Sequence, residues 1–330
     1  MCSCVTSKKR NDDGQNDFCD AGEADKASGW REQEKARLDE QSHPHGQAVA
    51  VNAPISRLLV VSGTGCYPRL VIAGARRAGV RTVDVLDVKG SCERATRRMA
   101  DHVVSFAAGE SDKAVEWAGT MKYDGAILAG QVSPLSLFRG KFDAVVRGWL
   151  AALPVKNAHT IFGKLVSEFE AHGTKILPAS CFMDDFLPGA GPLTRRGLTP
   201  LETDDMKRGR QVAADVGRHD VGQTVLVKSG MVLAVEAFEG TNAAIRRAGK
   251  LSKGSVLFKA AREGHDWRFD IPVVGIKTLK NMKKAGVTAL AFQAGRLILL
   301  DREAVVAFAD KHDIAIVGVD TGLPAAPTRP

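Results

Sequence analysis

The sequence predicts an α/β protein of two domains, the first Rossmann-like with a mostly parallel sheet. Between residues 55 and 186, short apolar runs alternate with stretches of helical spacing, as in a parallel sheet covered by helices. A Gly/Pro-dense segment, Leu187 to Pro200, separates this half from a second of similar mixture. At 330 residues the chain has room for two ordinary domains. The expected divisions are a polar extension over 1–53, an N-terminal α/β domain over 54–186 and a linker over 187–200. A C-terminal α/β domain over 201–323 and a tail over 324–330 complete the chain.

Residues 1–53 hold almost no branched apolar side chains and cannot offset their ordering entropy, so they read as a disordered extension. Leu58–Ser62 predicts the first strand and Gly63-Thr64-Gly65 its turn. Tyr67–Ala78 has helical spacing, with Pro68 at a tolerated early position and Gly79 as the stop. Strands are expected at Thr82–Leu86, His102–Phe106 and Gly125–Leu128, with helices near Cys92–Ala100 and Asp112–Thr120. Asn157–His172 reads as a helix leading to a strand at Lys175–Leu177. Beyond the linker, Thr203 is expected to cap a helix through Val216, closed by Gly217. Thr224–Val227 and Met231–Glu236 form a hairpin, and Asn242–Arg247 opens a helix. Val256–Lys259 and Ile271–Val274 are strands, and Thr278–Ala285 is a helix ended by Gly286. Ala289–Phe292 and Leu297–Leu300 are expected to pair as a second hairpin, before a helix at Arg302–His312 and a strand at Ile314–Val319.

Composition narrows the function. No apolar run reaches the roughly 18–20 residues needed to span a bilayer, and no apolar core marks a signal peptide, so export is not expected. Six cysteines lack paired zinc spacing and read as free thiols in a reducing cytosol. Residues 1–53 carry seven Lys/Arg against ten Asp/Glu, a net −3, so the rest holds +11 of the overall +8. A basic body suits an anionic partner. Its cations are dispersed, with no RNA-binding signature and no aromatic platform, which disfavours nucleic acid. His159, His172, His219 and His265 lack metallohydrolase spacing, and neither G-x-S-x-G nor a Walker A loop occurs.

The chemistry-bearing stretches are Gly230–Arg247 and Arg268–Gly275, where apolar runs end among carboxylates, small residues and arginines. Carboxylates beside guanidinium groups at a strand end form a site for a metal ion and phosphate, and buried charges otherwise cost stability. Glu239 sits where strand gives way to helix, a place for a metal ligand or phosphate contact, and Arg246 and Arg247 could clamp a diphosphate. Asp270 could hold a hard cation such as Mg²⁺, act as a base toward water, or simply be satisfied by Arg268. Gly63 and Gly65 form half of a nucleotide-binding fingerprint without its third glycine; a tight structural turn is the alternative. Asp84 or Asp87, ending the second strand, would suit ribose recognition. Gly130, Gln131 and Ser133 follow the fourth strand, where open sheets bind ligands and where an ordinary polar turn is equally consistent.

In order, Gly63-x-Gly65-x-x-Pro68, Ala129-Gly-x-Val-Ser133, Asp220-x-Gly-Gln223, Val232-Leu-Ala-Val-Glu236 and Glu239-Gly-Thr241 with Arg246-Arg247 form a set. Lys259, Asp270-x-Pro-x-x-Gly275, Asp301-Arg302 and Gly318-Val-Asp320 extend it. The set resembles the UDP-2,3-diacylglucosamine pyrophosphatase family of lipid A biosynthesis, the type unrelated to calcineurin-like phosphoesterases, over roughly residues 57–321. The resemblance implies two domains gripping UDP and the diacylglucosamine phosphate, and Mg²⁺-dependent hydrolysis to lipid X (2,3-diacylglucosamine 1-phosphate) and UMP. It places the catalytic, metal-binding aspartate on Asp270; Glu239, from its place at the strand end, is the second expected metal ligand. Gly63, Gly65, Gly130, Gln131, Ser133, Gln223, Thr241, Arg246, Arg247, Lys259 and Arg268 would bind substrate. It implies a lipid-linked UDP-sugar as partner, peripheral contact with the cytoplasmic face of the inner membrane and no nucleic acid, and leaves a homodimer open. This chain departs from the family at Asn157-Ala158-His159, at Asn242, and at Arg262-Glu-Gly-His265, so a non-catalytic nucleotide-sugar-lipid binder is the competing expectation. An NAD(P)-dependent oxidoreductase rests on Gly63-x-Gly65 alone.

Overall fold

The first sheet is fully parallel, in the order β3-β2-β1-β4, from β1 (Arg57–Ser62), β2 (Thr82–Val88), β3 (Val103–Phe106) and β4 (Gly125–Ala129). These strands come from a computed structural model that describes residues 55–131, 144–153, 155 and 157–330. The extension over 1–53 and Ser133 lie outside the described residues. The near-continuous apolar run of β1 is what a parallel strand buried on both faces requires. Leu58 and Val60 pack with Val71, Ile72 and Ala75 of α1 (Tyr67–Arg77). Leu59 and Val61 pack on the other side, with Val115 and Ala118 of α3 (Ser111–Met121) and Val166 and Phe169 of α5 (Ala158–Ala171). The helix expected near Cys92–Ala100 is the single turn α2 (Arg94–Arg97), and α4 is Ala144–Ala151. The strand expected at Lys175–Leu177 reduces to one bridge, Ile176 to Ala126.

The second sheet has the order β5-β12-β10-β8-β6-β7: β5 (Gly191–Pro192), β6 (Thr224–Lys228), β7 (Met231–Val235), β8 (Ser255–Lys259), β10 (Val287–Gln293) and β12 (Ala315–Val319). Strands β8, β10 and β12 are parallel, while β6 and β7 form the expected hairpin, antiparallel on the β8 edge. One face is covered by α7 (Thr241–Leu251), α8 (Ile276–Ala285) and α9 (Arg302–Lys311), the other by α6 (Pro200–Gly217).

Two expectations change here. The cap of α6 lies four residues before Thr203: the Thr199 hydroxyl accepts the Glu202 N–H at 3.2 Å and the Glu202 carboxylate accepts the Thr199 N–H at 2.9 Å, a capping box with Pro200 at the first helical position. Nor do Ala289–Phe292 and Leu297–Leu300 form a hairpin. The strand β10 is buried at nearly every position and takes a parallel neighbour on each side, whereas β11 (Ile298–Leu299) crosses to pair in parallel with β9 (Val273–Val274). Within the segment expected as a linker, β5 pairs antiparallel with β12 and so forms the sheet edge.

The small β9–β11 sheet stitches the domains together. Ile298, Ile271, Val273 and Leu300 join the core of the first domain beside Leu177, Cys181 and Met183. The tail runs back across both domains: Ala326 N–H donates to Gly295 O at 2.8 Å, Ser180 Oγ to Pro327 O at 2.6 Å, and Phe182 N–H to Thr328 O at 3.0 Å.

Candidate active site at the domain junction

At the C-terminal ends of β1 and β4 two glycine loops lock together. The Thr64 and Gln131 backbones exchange both hydrogen bonds, at 2.9 and 3.0 Å, and Gly63 N–H donates to Ala129 O at 2.8 Å. A Cβ on Gly63 would lie 2.8 Å from Gln131 O, and one on Gly130 2.8 Å from the Gly63 carbonyl carbon, so both glycines serve this close approach. Gly65 needs its glycine for φ of +96° and borders open space. Gly63, Gly65, Gly130 and Gln131 are thus brought together, at the point where the strand order reverses.

Neither aspartate of β2 is available to a ribose. Asp84 is buried and bonded to Tyr123 Oη at 2.8 Å and His102 Nδ1 at 2.9 Å. Asp87 is fully buried and accepts from Cys92 N–H at 2.8 Å, Ser105 Oγ at 3.0 Å and Arg97.

In the second domain, the C-terminal end of β8 carries Lys259, which is 3% exposed. Its ammonium donates to Thr224 Oγ1 at 3.1 Å and Thr241 Oγ1 at 3.0 Å and lies 3.6 Å from Glu236 Oε2. Thr241 Oγ1 in turn donates to Glu236 Oε1 at 2.8 Å. Glu236 is placed by backbone: its N–H bonds Thr224 O at 2.8 Å, continuing the hairpin ladder, and its carbonyl lies over Gly222, where a Cβ would come within 2.1 Å. Thr241 is the first residue of α7, so a lysine and a helix N-terminus converge on one spot, chemistry suited to phosphate.

Gln223 precedes β6, held by Ala260 N–H to its carbonyl at 2.9 Å, and its side-chain amide donates to Asp270 Oδ1 at 2.7 Å. The other oxygen, Oδ2, has His265 Nδ1 at 3.6 Å, and the Asp270 side chain is 36% exposed. His265 is buried; its Nε2 meets the Asp270 carbonyl, and its ring stands edge-on to Trp267 at 4.7 Å. Burial pushes this imidazole below its ordinary value, with Asp270 opposing the shift. Arg296 lies over Trp267, 4.8 Å from the ring centroid.

The loop carrying Asp270 is docked on the first domain. Ala179 N–H donates to Trp267 O at 2.6 Å, and Phe269 packs against His159 and Phe162 of α5 at 5.2 and 5.9 Å. Arg262 Nη2 lies 2.7 Å from His159 Nδ1, and Arg262 Nη1 lies 3.8 Å from Asp220, which accepts from Asn157 Nδ2 at 3.0 Å. Asn157 also caps α5 through the Thr160 N–H at 2.8 Å. Of the positions named above as departures, His265 meets Asp270 directly, His159 packs on the adjacent Phe269, Arg262 meets His159, and Asp220 links Arg262 to Asn157.

The remaining candidates are engaged with other partners. Arg268 is bonded to Asp266 at 2.8 and 3.0 Å and to Glu170 at 3.0 and 3.1 Å. Arg247 closes on Glu239 at 2.6 Å, and this guanidinium holds the Glu239 carboxyl below its usual range. Arg246 reaches Asn281 Oδ1 at 3.4 Å. The carboxylate beside Lys259 and Thr241 is Glu236, which the sequence shows only as the end of the run Val232-Leu-Ala-Val-Glu236.

Among the described residues no three His, Cys, Asp or Glu side chains gather as a metal cage. Asp270, partly exposed with one oxygen accepting no hydrogen bond, still fits a Mg²⁺ held by one carboxylate, substrate phosphates and water, the usual habit of that ion.

A family model of the LpxI N-terminal domain matches residues 57–186, and one of the LpxI C-terminal domain matches residues 189–317. A UDP-2,3-diacylglucosamine pyrophosphatase LpxI from Caulobacter vibrioides is 30% identical over 282 residues, 80% of this chain and 98% of that protein. Among solved structures, the biotin carboxylase domain of Hydrogenobacter thermophilus 2-oxoglutarate carboxylase is 12% identical, covering 60% of this chain and 41% of its own, at a TM-score of 0.25. An N5-carboxyaminoimidazole ribonucleotide synthetase is 13% identical, covering 60% of this chain and 45% of its own, also at 0.25. Likeness that low carries no argument about fold or chemistry.

Proposed function

Because the chain belongs to the LpxI family, we propose that it hydrolyses the diphosphate of UDP-2,3-diacylglucosamine to lipid X and UMP in lipid A biosynthesis. The observation that carries this reading is Asp270, a partly exposed carboxylate oriented by Gln223 at the domain junction. Water adds to one phosphorus as the bridging P–O bond breaks, and the departing phosphate keeps the bond's electron pair. Asp270 orients that water and takes up its proton, while Lys259 and Thr241 offset charge on the phosphate oxygens. Mg²⁺, held by Asp270 together with the diphosphate, would supply Lewis-acid stabilisation of the same oxygens. Arg246 and Arg247 stand on α7 within the same domain and would meet the outer phosphate once Arg247 exchanges Glu239 for substrate. Glu239 then serves as the arginine's partner in the free enzyme; a metal-ligand role for it would need the same exchange.

The two acyl chains of the substrate require access to lipid. Among the described residues no helix is long and apolar enough to cross a membrane. With a diacylated substrate, the proposed reaction calls for peripheral contact, at the cytoplasmic face of the inner membrane. Incubation with UDP-2,3-diacylglucosamine and Mg²⁺ should release UMP, and Asp270→Ala should lower kcat by about 10²–10⁴-fold with a smaller change in KM. Substrate retained tightly without turnover, indifferent to EDTA, would instead identify a binding protein that has lost activity.

A further inference from the structure

Helices α7 and α8 form one continuous outer surface. Gly249 of α7 lies so near Ala285 of α8 that a Cβ there would come within 2.6 Å, and Asn281 bridges to Asn242 at 3.3 Å and to Arg246 at 3.4 Å. Their inner sides, with Ala244, Ile245, Ala248, Leu279, Met282 and Ala285, fill the core against the sheet. Their outer sides expose Arg246, Arg247, Lys250, Lys277, Lys280, Lys283 and Lys284. Neither helix contains an Asp or Glu, and among the described residues only Arg247 of these seven has an ion-pair partner.

Large apolar side chains border the same surface. Leu251, on the stripe of Arg247 one turn later, is 65% exposed, Phe238 in the turn entering α7 is 68% exposed, and Met231 at the start of β7 is 66% exposed. Single exposed apolar residues are ordinary, but apolar residues bordering a purely cationic helical face make the composition that lies on lipid headgroups. The surface is also oriented toward the chemistry. Thr241, the first residue of α7, bonds Lys259, and Gly275, which caps α8, stands five residues beyond Asp270.

We propose that the outer face of α7 and α8 is the surface by which the protein docks on an anionic phospholipid bilayer, its lysines among the headgroups and Phe238 and Leu251 at the acyl boundary. This deepens the peripheral placement proposed above by naming the surface. Docked this way, the N-terminal ends of both helices bring the phosphate site to headgroup level, where a diacylated substrate presents its diphosphate. The apolar border favours lipid over a nucleic acid, since exposed Leu and Met gain nothing from a polyphosphate.

The test is flotation of the full chain with vesicles of phosphatidylcholine alone or with about a third phosphatidylglycerol, at low and moderate salt. Binding is expected only to the anionic vesicles and to weaken with salt. The variant Lys277→Glu/Lys280→Glu/Lys284→Glu should bind at least about 30-fold more weakly, and Leu251→Ser several-fold more weakly. Hydrolysis of substrate dispersed in a non-ionic detergent should stay within about twofold of wild type in both, which separates this proposal from failure of the enzymatic reading. Melting temperatures verify folding, and Lys280→Gln/Lys284→Gln serves if the triple change unfolds the protein. Wild-type binding indifferent to lipid charge, undiminished binding by the lysine variants, or preference for a short DNA duplex over anionic vesicles would overturn it.

Discussion

Arg262 and His159 meet across the domain junction, with guanidinium Nη2 2.7 Å from Nδ1 and 2.9 Å from Nε2 of the imidazole. A guanidinium can only donate, so the ring that receives it is neutral. Burial first, and the Arg262 charge second, hold His159 below the ordinary histidine range. The unfolded chain therefore takes up a proton near pH 6.5 that the folded chain refuses, and stability is full above that pH and falls as pH drops below it. Thermal melts should show a decline from about pH 6.5 to 5.5 that is shallower in His159→Gln. An unchanged slope in that variant would remove His159 from the account.

Gln223 should matter through Asp270 alone. Its amide donates to one carboxylate oxygen at 2.7 Å, which leaves the other oxygen for water or metal. Gln223→Ala frees the carboxylate to rotate, so kcat should fall about tenfold with KM within about threefold, and Gln223→Asn should recover little because its reach is one methylene shorter. Steady-state kinetics on the three proteins decides it; an effect confined to KM would make Gln223 a substrate contact instead.

The apolar runs of β1, β2, β6, β7 and β8 were legible because each is short, branched and bounded by turn residues. The same cue misled at β10 and β11: a strand buried on both faces carries no alternation to say which neighbour it takes, or in which sense. The capping box Thr199-Pro-Leu-Glu202 was readable as Thr-x-x-Glu and marks the true start of α6. Within the candidate site, Gln223, Lys259, Thr241 and Asp270 stood out from motif order, and Glu236, His159, Arg262 and His265 stood in quoted stretches as well. Which of them meet was not legible, because those pairings cross strands or the domain junction. Asp84 and Asp87 failed as ribose ligands for the same reason: Tyr123 and Ser105, which occupy them, lie 39 and 18 residues away.

Lys259 and Glu236 form a pair that is largely out of water, with side-chain exposures of 4% and 14%. Removing one member strands the other, which costs about 3 kcal/mol, whereas removing both charges costs less. Lys259→Met should therefore melt well below wild type, and adding Glu236→Gln should recover part of that stability. Activity should not follow under the proposed function: both variants should stay at least about 100-fold below wild type in kcat/KM, because the ammonium proposed to offset phosphate charge is gone in each. Recovery of activity alongside stability would mean the lysine only holds the fold.

Arg196 and Glu202 tie the start of α6 to the segment before it, through bonds of 2.7 and 3.1 Å. Burial alone would push the Glu202 carboxyl up, but the Arg196 guanidinium, the Thr199 N–H and the Thr288 hydroxyl outweigh it and hold the group at about 2. A depressed carboxyl contributes stability that is complete above its unfolded value, near 4.5, and is lost as pH falls toward 2. Glu202→Gln keeps a side chain able to close the capping box but removes the charge facing Arg196. Urea unfolding should put the variant on the order of 2 kcal/mol below wild type at pH 7, with the gap narrowing below about pH 4. A gap that persists undiminished at pH 3 would trace the loss to packing and not to the ion pair.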